Sequence, residues 1–327
     1  MPDGMAAFVW RGGEEVAVEE VERPAAGDGW VVVDVAYAGI CGTDLHICAG
    51  EHPRAKPGVV IGHEIAGTVA ATAHGFEAGT AVVVDPLVAC GRCATCRSGR
   101  PHTCENLRLI GIDSPGGAAP LVAVDADRLI PVAGSPDLRH LAFAEPLAVA
   151  VRAVRRSGLQ LGQTVAVVGG GPIGVAVALC ARNAGAGRVV LAEPAPARRE
   201  FAAGLGLETV ASAEGLAAEV VFDAAGHPAV AALVTDLVAP GGTLVVVAVY
   251  GDPAPVDLRA VTFKELTAVG TRVYSRDDLA VATELVASGR FDPEPFLTST
   301  VTLDEAADAI ADLRRGVGLK VLVQGDS

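Results

Sequence analysis

The spacing of hydrophobic residues changes near residue 141. Over residues 15–83, apolar and polar positions alternate in short stretches that glycine and proline interrupt, which is typical of an antiparallel, barrel-like β domain. Two further short strands are predicted at 119–124 and 128–131. Residues 141–156 instead have apolar positions at helical spacing, and Gly158 follows. The pattern therefore predicts a β-rich first part that ends in a helix.

After residue 164 the pattern alternates between strands and helices. An apolar strand at 165–168 precedes a glycine-rich turn and a helix predicted at 175–186. Further strands are predicted at 189–191, 219–223, 242–249 and 266–270. This alternation is typical of a parallel, doubly wound α/β sheet. Beyond Tyr274 we expect helices at 278–288 and 303–315 and a closing strand at 320–323, a segment that rejoins the first part.

Length and charge exclude several classes of protein. The 327 residues, 51% hydrophobic and 20% charged, suffice for about two domains. Their net charge of −14 repels phosphate backbones and anionic lipids, so we expect neither a nucleic-acid nor a membrane partner. The sequence shows no signal peptide and no apolar stretch of membrane-spanning length. These features predict a soluble cytoplasmic protein.

Four of the seven cysteines lie within fifteen residues. They are Cys90, Cys93, Cys96 and Cys104. Four thiolates at this spacing can enclose one tetrahedral zinc ion and leave no open coordination position, which indicates a structural site. A nucleic-acid-binding zinc ribbon conflicts with the net charge, and an empty or redox-active site is the other alternative. Cys48 and Cys180 are expected to be buried as small apolar side chains.

The glycine-rich turn has the form G-x-G-x-x-G, with glycines at 169, 171 and 174. Alone this motif is weak, but here it follows an apolar strand and opens a helix, where backbone N–H groups can bind a pyrophosphate. Glu193 lies nineteen residues beyond Gly174, at the end of the next strand, where an acid can bind both ribose hydroxyls. A tight turn without a ligand is the alternative.

His63 and Glu64 lie within the apolar run 59–69, where two ionisable side chains are costly to bury without partners. A core histidine beside a solvent-facing glutamate would be the simpler interpretation. However, the preceding stretch 39–46 adds a thiolate at Cys41, together with a hydroxyl, an acid and a second imidazole. Cysteine, histidine and carboxylate around a metal with one open position make a catalytic zinc site.

Several motifs in this order resemble the zinc-dependent medium-chain alcohol dehydrogenases. They are Gly-Ile-Cys-Gly-Thr-Asp-Leu-His at 39–46, Gly-His-Glu at 62–64, the cysteine lobe, Glu-Pro-Leu-Ala-Val-Ala at 145–150 and the glycine turn. The resemblance covers nearly the whole chain. Within the family, the segments 145–149 and 191–194 are most similar to the butanediol and polyol (sorbitol) dehydrogenase branch, and the threonine dehydrogenase branch is second.

The resemblance implies a fold and two zinc ions per chain, while the charge of Glu193 favours NAD over NADP. A GroES-like catalytic domain would comprise residues 1–148 and 273–327, and a dinucleotide-binding Rossmann domain 149–272. The implied ligands of the catalytic zinc are Cys41, His63 and Glu145, with Glu64 as an alternating ligand or supporting acid. Asp44 would support these ligands, and Thr43 and His46 match the family's proton relay. The implied cofactor contacts are Gly169, Gly171, Pro172, Ile173, Gly174, Glu193, Arg198, Val249 and Val273.

The predicted reaction is hydride transfer between NAD and a secondary alcohol, which is a diol, a polyol or a related compound. The substrate is therefore a small alcohol or ketone. The predicted assembly is a homo-dimer or homo-tetramer. Oxidation of a β-hydroxy amino acid or amino alcohol is the alternative within the family. A zinc-free reductase of the same superfamily would lack Cys41 and the pair of His63 and Glu64. A non-catalytic zinc-ribbon protein that senses nucleotides is the alternative from another class.

Overall fold

The computed structural model describes residues 4–325, which fall into two units. The first unit contains the described residues up to Pro146 together with those from Ser275 onward, and the second contains Leu147–Tyr274. Within the described part of the chain, the helices are all too short or too polar to cross a membrane.

The first stretch of the chain is mostly β-structure. Its strands are β1 (Gly4–Gly12), β2 (Glu15–Glu22), β3 (Trp30–Gly39), β4 (Val59–Val60), β5 (Glu64–Val69), β6 (Ala81–Val84), β7 (Leu87–Val88), β8 (Arg108–Leu109), β9 (Leu121–Asp125) and β10 (Leu129–Pro131). Its helices are α1 (Gly42–Cys48), α2 (Ala94–Arg97) and α3 (Leu138–Leu141). In β3, Val31, Val33 and Val35 are buried and alternate with less buried residues, because successive side chains of a strand point to opposite faces.

The middle of the chain alternates between helices and strands. In order these are α4 (Ala144–Ser157), β11 (Thr164–Val168), α5 (Pro172–Asn183), β12 (Arg188–Ala192), α6 (Pro196–Gly204), β13 (Glu208–Val210), β14 (Ala218–Asp223), α7 (Pro228–Leu237), β15 (Val238–Val246), α8 (Leu258–Phe263) and β16 (Thr267–Gly270). The six strands of the second unit form one parallel sheet in the order β13-β12-β11-β14-β15-β16. The predicted doubly wound sheet is therefore confirmed.

The end of the chain returns to the first sheet. Its elements are α9 (Arg276–Ala287), β17 (Leu297–Val301), α10 (Ala306–Arg314) and β18 (Lys320–Gln324). The larger sheet of the first unit has the order β10-β6-β5-β3-β18-β17, and β9 also pairs with β3. Strand β18 runs antiparallel to β3, with Leu322 opposite Gly39. This pairing brings the end of the chain beside the strand that leads to Cys41.

Several predicted boundaries were wrong. Helix α5 begins at Pro172 rather than at 175. Proline has no backbone N–H, which is tolerated in the first turn because N–H groups there have no partner within the helix. It ends at Asn183 rather than at 186, before Gly185 with a φ of 98°. Strand β15 begins at Val238 rather than at 242, because its Pro-Gly-Gly segment is more typical of a turn than of a strand. It ends at Val246 rather than at 249. The helix predicted at 303–315 is the shorter α10.

A cluster of three aromatic rings holds the start of α4 to the C-terminal segment. Phe143 lies just before α4, and its ring centroid is 4.7 Å from that of Phe296 and 5.9 Å from that of Phe291. All three residues are buried. Phe143 is two residues before Glu145, so this packing fixes the backbone that carries one predicted zinc ligand.

Candidate metal and cofactor sites

Cys41 is positioned by the N-terminal turn of α1. The N–H of Cys41 donates to Asp44 Oδ2 at 2.8 Å, and the N–H of Gly62 donates to Asp44 Oδ1 at 3.4 Å. Asp44 is fully buried, and burial raises the pKa of its carboxyl, while the neighbouring His63 acts to lower it. One carboxylate therefore holds together the two segments that carry Cys41 and His63.

His63 follows a glycine in a left-handed conformation. The φ of Gly62 is 92°, which L side chains rarely adopt, and this turn directs the chain into β5. His63 is 4% exposed, and its Nδ1 lies 3.8 Å from Asp44 Oδ1. Within residues 4–325, this nitrogen has no hydrogen-bond partner. Burial lowers the pKa of His63, but the charges of Cys41 and Asp44 outweigh it and raise that pKa well above the ordinary value.

The donor atoms of Cys41, His63 and Glu64 lie within 4.8 Å of one another. A thiolate, an imidazole and a carboxylate in one place are the donors that zinc prefers, and a zinc ion binds such atoms at about 2.0–2.3 Å. The ring of His63 has a buried nitrogen without a hydrogen-bond partner and lies near negative charges. A bound cation would satisfy that nitrogen and balance those charges. The residues therefore fit a zinc ion.

The carboxylate of Glu64 is paired with Lys320 in β18. Lys320 Nζ lies 2.5 Å from Oε1 and 2.8 Å from Oε2, and it also donates to the carbonyl of Ile40 at 3.0 Å. Gly39, opposite Glu64 in the sheet, leaves room for this carboxylate: a Cβ there would lie 1.9 Å from Oε2. Burial lowers the pKa of Lys320, but Glu64 outweighs it and raises that pKa.

Sequence reasoning missed Lys320. The available signal was a single lysine at the start of the otherwise apolar closing strand, Lys-Val-Leu-Val at 320–323. A buried lysine needs a partner of opposite charge, but the sequence does not show which acid provides it.

Glu145 lies in the first turn of α4 and is 6% exposed. It is not part of the group within 4.8 Å, yet its charge contributes to raising the pKa of both His63 and Lys320. Two carboxylates thus flank Cys41 and His63: Glu64 is bound to Lys320, whereas Glu145 lies farther from the other donor atoms.

Thr43 and His46 lie one helical turn apart in α1, on the same face. Thr43 Oγ1 accepts from Cys41 Sγ at 3.8 Å. The side chain of His46 is 67% exposed, and its Nδ1 is 2.9 Å from Glu51 Oε2. The Thr43 hydroxyl therefore lies beside the thiol of half-buried Cys41, and the His46 imidazole one turn farther on reaches solvent.

The cysteine lobe brings its four sulfur atoms together within 4.8 Å. Cys93 Sγ lies 3.4 Å from Cys96 Sγ and 3.8 Å from Cys104 Sγ, where a tetrahedral zinc site with bonds of about 2.3 Å needs about 3.8 Å. The Thr95 hydroxyl lowers the pKa of Cys93 to about 5, and burial raises the pKa of Cys96 to about 12. Four thiolates cannot all be charged here without a cation, so the lobe also fits zinc.

The glycine turn joins β11 to α5. Gly169 has a φ of 105°, and a Cβ on Gly174 would lie 1.9 Å from the Gly169 carbonyl oxygen, so neither position accommodates a larger residue. Gly171 precedes the first turn of α5, which includes Pro172 and Ile173. The N–H groups at the start of this twelve-residue helix can receive a phosphate.

Glu193 follows β12 and is 5% exposed. Its Oε2 accepts from the N–H of Gly170 at 2.7 Å, and its Oε1 accepts from the N–H of Ala195 at 2.9 Å. The acid is thus fixed beside the glycine turn, where each oxygen keeps a further lone pair for a ribose hydroxyl.

The other predicted cofactor residues differ in exposure. Arg198 is exposed, whereas the neighbouring Arg199 donates to the carbonyls of Glu193 and Pro194 at 2.9 and 2.6 Å. Val249 is 93% exposed, and Val273 is half-buried with a φ of 42°. Arg198, Val249 and Val273 therefore remain predicted cofactor contacts.

Known proteins share both parts of this arrangement. Residues 27–134 match the family model described as the alcohol dehydrogenase GroES-like domain, and residues 172–288 match the one described as zinc-binding dehydrogenase. The chain is 39% identical to a 2-dehydro-3-deoxy-L-galactonate 5-dehydrogenase of Pseudoalteromonas atlantica, over 98% of each chain. It is 32% identical to the L-galactonate-5-dehydrogenase of Escherichia coli, over 87% of this chain and 88% of that protein.

Solved structures agree. A zinc-binding dehydrogenase from Sinorhizobium meliloti, bound to NADP, has a TM-score of 0.93 at 32% identity and covers 98% of this chain and 99% of that one. The 2R,3R-butanediol dehydrogenase of Bacillus subtilis has a TM-score of 0.90 at 27% identity over 98% and 100% of the two chains. The predicted likeness to the butanediol and polyol branch is confirmed.

These matches extend along nearly the whole chain, and they confirm the predicted combination of a GroES-like domain with a Rossmann domain. The protein therefore belongs to the zinc-dependent medium-chain alcohol dehydrogenases, oxidoreductases that act on the CH–OH group of an alcohol.

Proposed function

We propose that this protein transfers a hydride between a secondary alcohol of a polyhydroxylated compound and NAD, with one catalytic and one structural zinc ion per chain. The observation that carries this proposal is the group of half-buried Cys41 with buried His63 and Glu64, whose donor atoms lie within 4.8 Å of one another. Membership in the family indicates the class of reaction. The group of Cys41, His63 and Glu64 indicates where the reacting hydroxyl would bind.

In this proposal, Cys41, His63 and one carboxylate, Glu64 or Glu145, hold the catalytic zinc, and the four cysteines of the lobe hold the other. When bound, the catalytic zinc would lower the pKa of a coordinated hydroxyl. Asp44 orients Cys41 and His63 through the contacts described above. Lys320 keeps both oxygens of Glu64 engaged, which favours Glu145 as the third ligand at rest.

The chain's own residues would move the proton. Thr43 Oγ1, beside Cys41 Sγ, would accept the proton of the substrate hydroxyl while it gives up its own hydroxyl proton, and exposed His46 would release a proton to solvent. Hydride transfer itself is the chemistry of the nicotinamide, and the protein's task is to position the two reactants.

The cofactor is proposed to bind by its pyrophosphate at the start of α5 and by its adenosine ribose at Glu193, with Gly169, Gly171, Pro172, Ile173, Gly174, Arg198, Val249 and Val273 as further contacts. Glu193 favours NAD, because the 2′-phosphate of NADP would place about two negative charges beside a buried carboxylate. The related structure from Sinorhizobium meliloti has NADP bound.

Polyhydroxylated substrates are favoured by the relatives, two of which are named for galactonate compounds and one for butanediol. None of these names supports the alternative of a β-hydroxy amino acid, and none supports a non-catalytic nucleotide sensor.

We further propose a cytoplasmic homo-dimer or homo-tetramer. Parallel strand β16 forms one edge of the second unit's sheet, and Leu258 and Phe263 just before it are 73% and 79% exposed. A second copy of the chain would cover this edge, as exposed strand edges tend to pair. A monomeric mass in sedimentation equilibrium would contradict the assembly, and recovery of the native protein in a membrane or exported fraction would contradict the location.

The first prediction separates the two metal sites. We expect Cys41→Ser and His63→Ala to abolish turnover while leaving the thermal midpoint nearly unchanged, because the catalytic site lies on a folded unit. Cys93→Ser should instead lower the midpoint by about 5 °C or more, roughly 3 kcal/mol for a chain of this size. Calorimetry and initial rates measure both effects, with Cys180→Ala as the control that removes a thiol outside both sites. Equal unfolding of all the zinc-site variants would contradict the distinction.

The second prediction concerns the proton path. His46→Ala should slow alcohol oxidation by about tenfold to a hundredfold near and below pH 7, with partial rescue by small buffer bases, because the proton must still leave once the imidazole is removed. The measurement is kcat against pH. His74→Ala, which removes another exposed histidine, serves as the control. A pH profile identical to that of the unmodified enzyme would exclude His46 from the path.

The third prediction concerns cofactor choice. The unmodified enzyme should have a higher kcat/KM for NAD than for NADP, and Glu193→Ser should narrow that gap by about tenfold or more, because the repulsion of a phosphate is removed. Glu193→Gln keeps the size and one hydrogen-bond acceptor, and so separates the charge from the contact with Gly170. A kcat/KM for NADP at or above that for NAD in the unmodified enzyme would refute the assignment.

A further inference from the structure

A cavity of ≈ 430 Å³ lies in the first unit, on the surface that follows α1. One wall contains Arg54, Lys56 and Val59, and the other contains Arg108, Asp113 and Ser114. Its volume is within the usual range for small-molecule pockets, about 300–1,000 Å³. None of these residues has a role in the reaction as proposed above.

The charge of this cavity is opposite to that of the protein. Three cationic side chains and one carboxylate line it, in a chain with a net charge of −14. A cluster of cations on an otherwise acidic surface attracts an anion, and it can bind one in a defined position when its side chains are held in place. The contacts of Arg54 and Arg108 provide that anchoring.

Both arginines are fixed by backbone carbonyls and by Asp113. Arg54 Nη1 donates to the carbonyl of Leu107 at 2.6 Å and lies 3.3 Å from Asp113 Oδ2. Arg108 Nη2 donates to the carbonyl of Asp113 at 2.9 Å. Asp113 Oδ2 in turn accepts from the N–H of Leu109 at 2.8 Å. Since a guanidinium has five N–H groups, these contacts leave donors on both side chains for a planar anion such as a carboxylate.

The cavity is lined in part by the segment that leads to His63. Val59 is in its wall, and four residues of trans backbone place the Cα atoms of Val59 and His63 at most about 14 Å apart. The segment after Asp113 is hydrogen-bonded to the same segment. The N–H of Gly116 donates to the carbonyl of Val60 at 2.8 Å, and the N–H of Gly117 donates to the carbonyl of Gly62 at 2.9 Å.

His52 precedes Arg54 by two residues. Its Nδ1 accepts from the N–H of Ala55 at 3.1 Å, so the neutral ring carries its proton on Nε2. Burial and the charge of Arg54 lower the pKa of this ring, which also lies within electrostatic range of Asp113, His46 and His63. This ring therefore offers one N–H donor next to Arg54, whose backbone N–H lies 3.4 Å from His52 Nδ1.

We propose that Arg54 and Arg108 bind a carboxylate of the substrate, so that this dehydrogenase selects hydroxy acids of sugar type over neutral polyols. The inference rests on the proposed function, because it names the substrate class of that same site. One end of an aldonate is held at the basic cavity, and a hydroxyl farther along its chain is held at the group of Cys41 and His63.

The test compares matched six-carbon pairs, such as gluconate with glucitol and galactonate with galactitol. The unmodified enzyme should have the higher kcat/KM for the acid of each accepted pair. Arg54→Gln and Arg108→Gln should each lower kcat/KM for the acid by about tenfold or more, mainly through KM, while values for the alditol change less than about twofold. Arg290→Gln, which removes an exposed surface arginine paired with Glu284, should change neither.

Two results would overturn the proposal: equal losses for acid and alditol in the arginine variants, which would indicate a structural role, or a preference of the unmodified enzyme for the alditols. If no hydroxyl compound is oxidised, the proposed function itself fails, and calorimetric titration with the same aldonates then decides on the cavity alone. Binding that Arg54→Gln weakens would support the carboxylate site, and the absence of binding would refute it.

Discussion

Lys320 and Glu64 form an ion pair in which the lysine is 4% exposed and the glutamate fully buried. The lysine belongs to the last strand of the sheet and the glutamate to β5, and both flank β3. Removing one partner of such a pair leaves an uncompensated buried charge, at a cost of about 3–5 kcal/mol. This pair therefore ties strand β18 to the start of β5, directly after His63.

The same constraint shapes the site around the pair. Asp44, Glu64 and Glu145 are all buried near Cys41 and His63, and Lys320 supplies only one positive charge against them. Asp44 accepts hydrogen bonds from two backbone N–H groups, and Glu64 is paired with Lys320. A divalent cation between Cys41 and His63 would balance the remaining negative charge. Metal binding would thus relieve a charge imbalance that the folded unit already contains.

Motifs with local spacing could be predicted from the sequence. The cysteine lobe, the glycine turn and the adjacent His63 and Glu64 each lie within a few residues, so their types and spacing already define a geometry. Contacts that join distant segments could not be predicted. The partner of Glu64 is 256 residues away, and Arg54 reaches a carbonyl 53 residues farther on. Element boundaries failed where proline or glycine stands inside an element, as at Pro172 in α5 and in the Pro-Gly-Gly of β15.

The most direct measurement is an anomalous difference map, recorded at the zinc absorption edge from crystals grown with zinc. A zinc ion between Cys41 and His63, in addition to the one in the cysteine lobe, is the central claim. The predicted result is two peaks per chain, one bounded by Cys41 Sγ and a ring nitrogen of His63 and the other by the four sulfur atoms of the lobe. A single peak confined to the lobe, with Cys41 and His63 in direct contact, would contradict it.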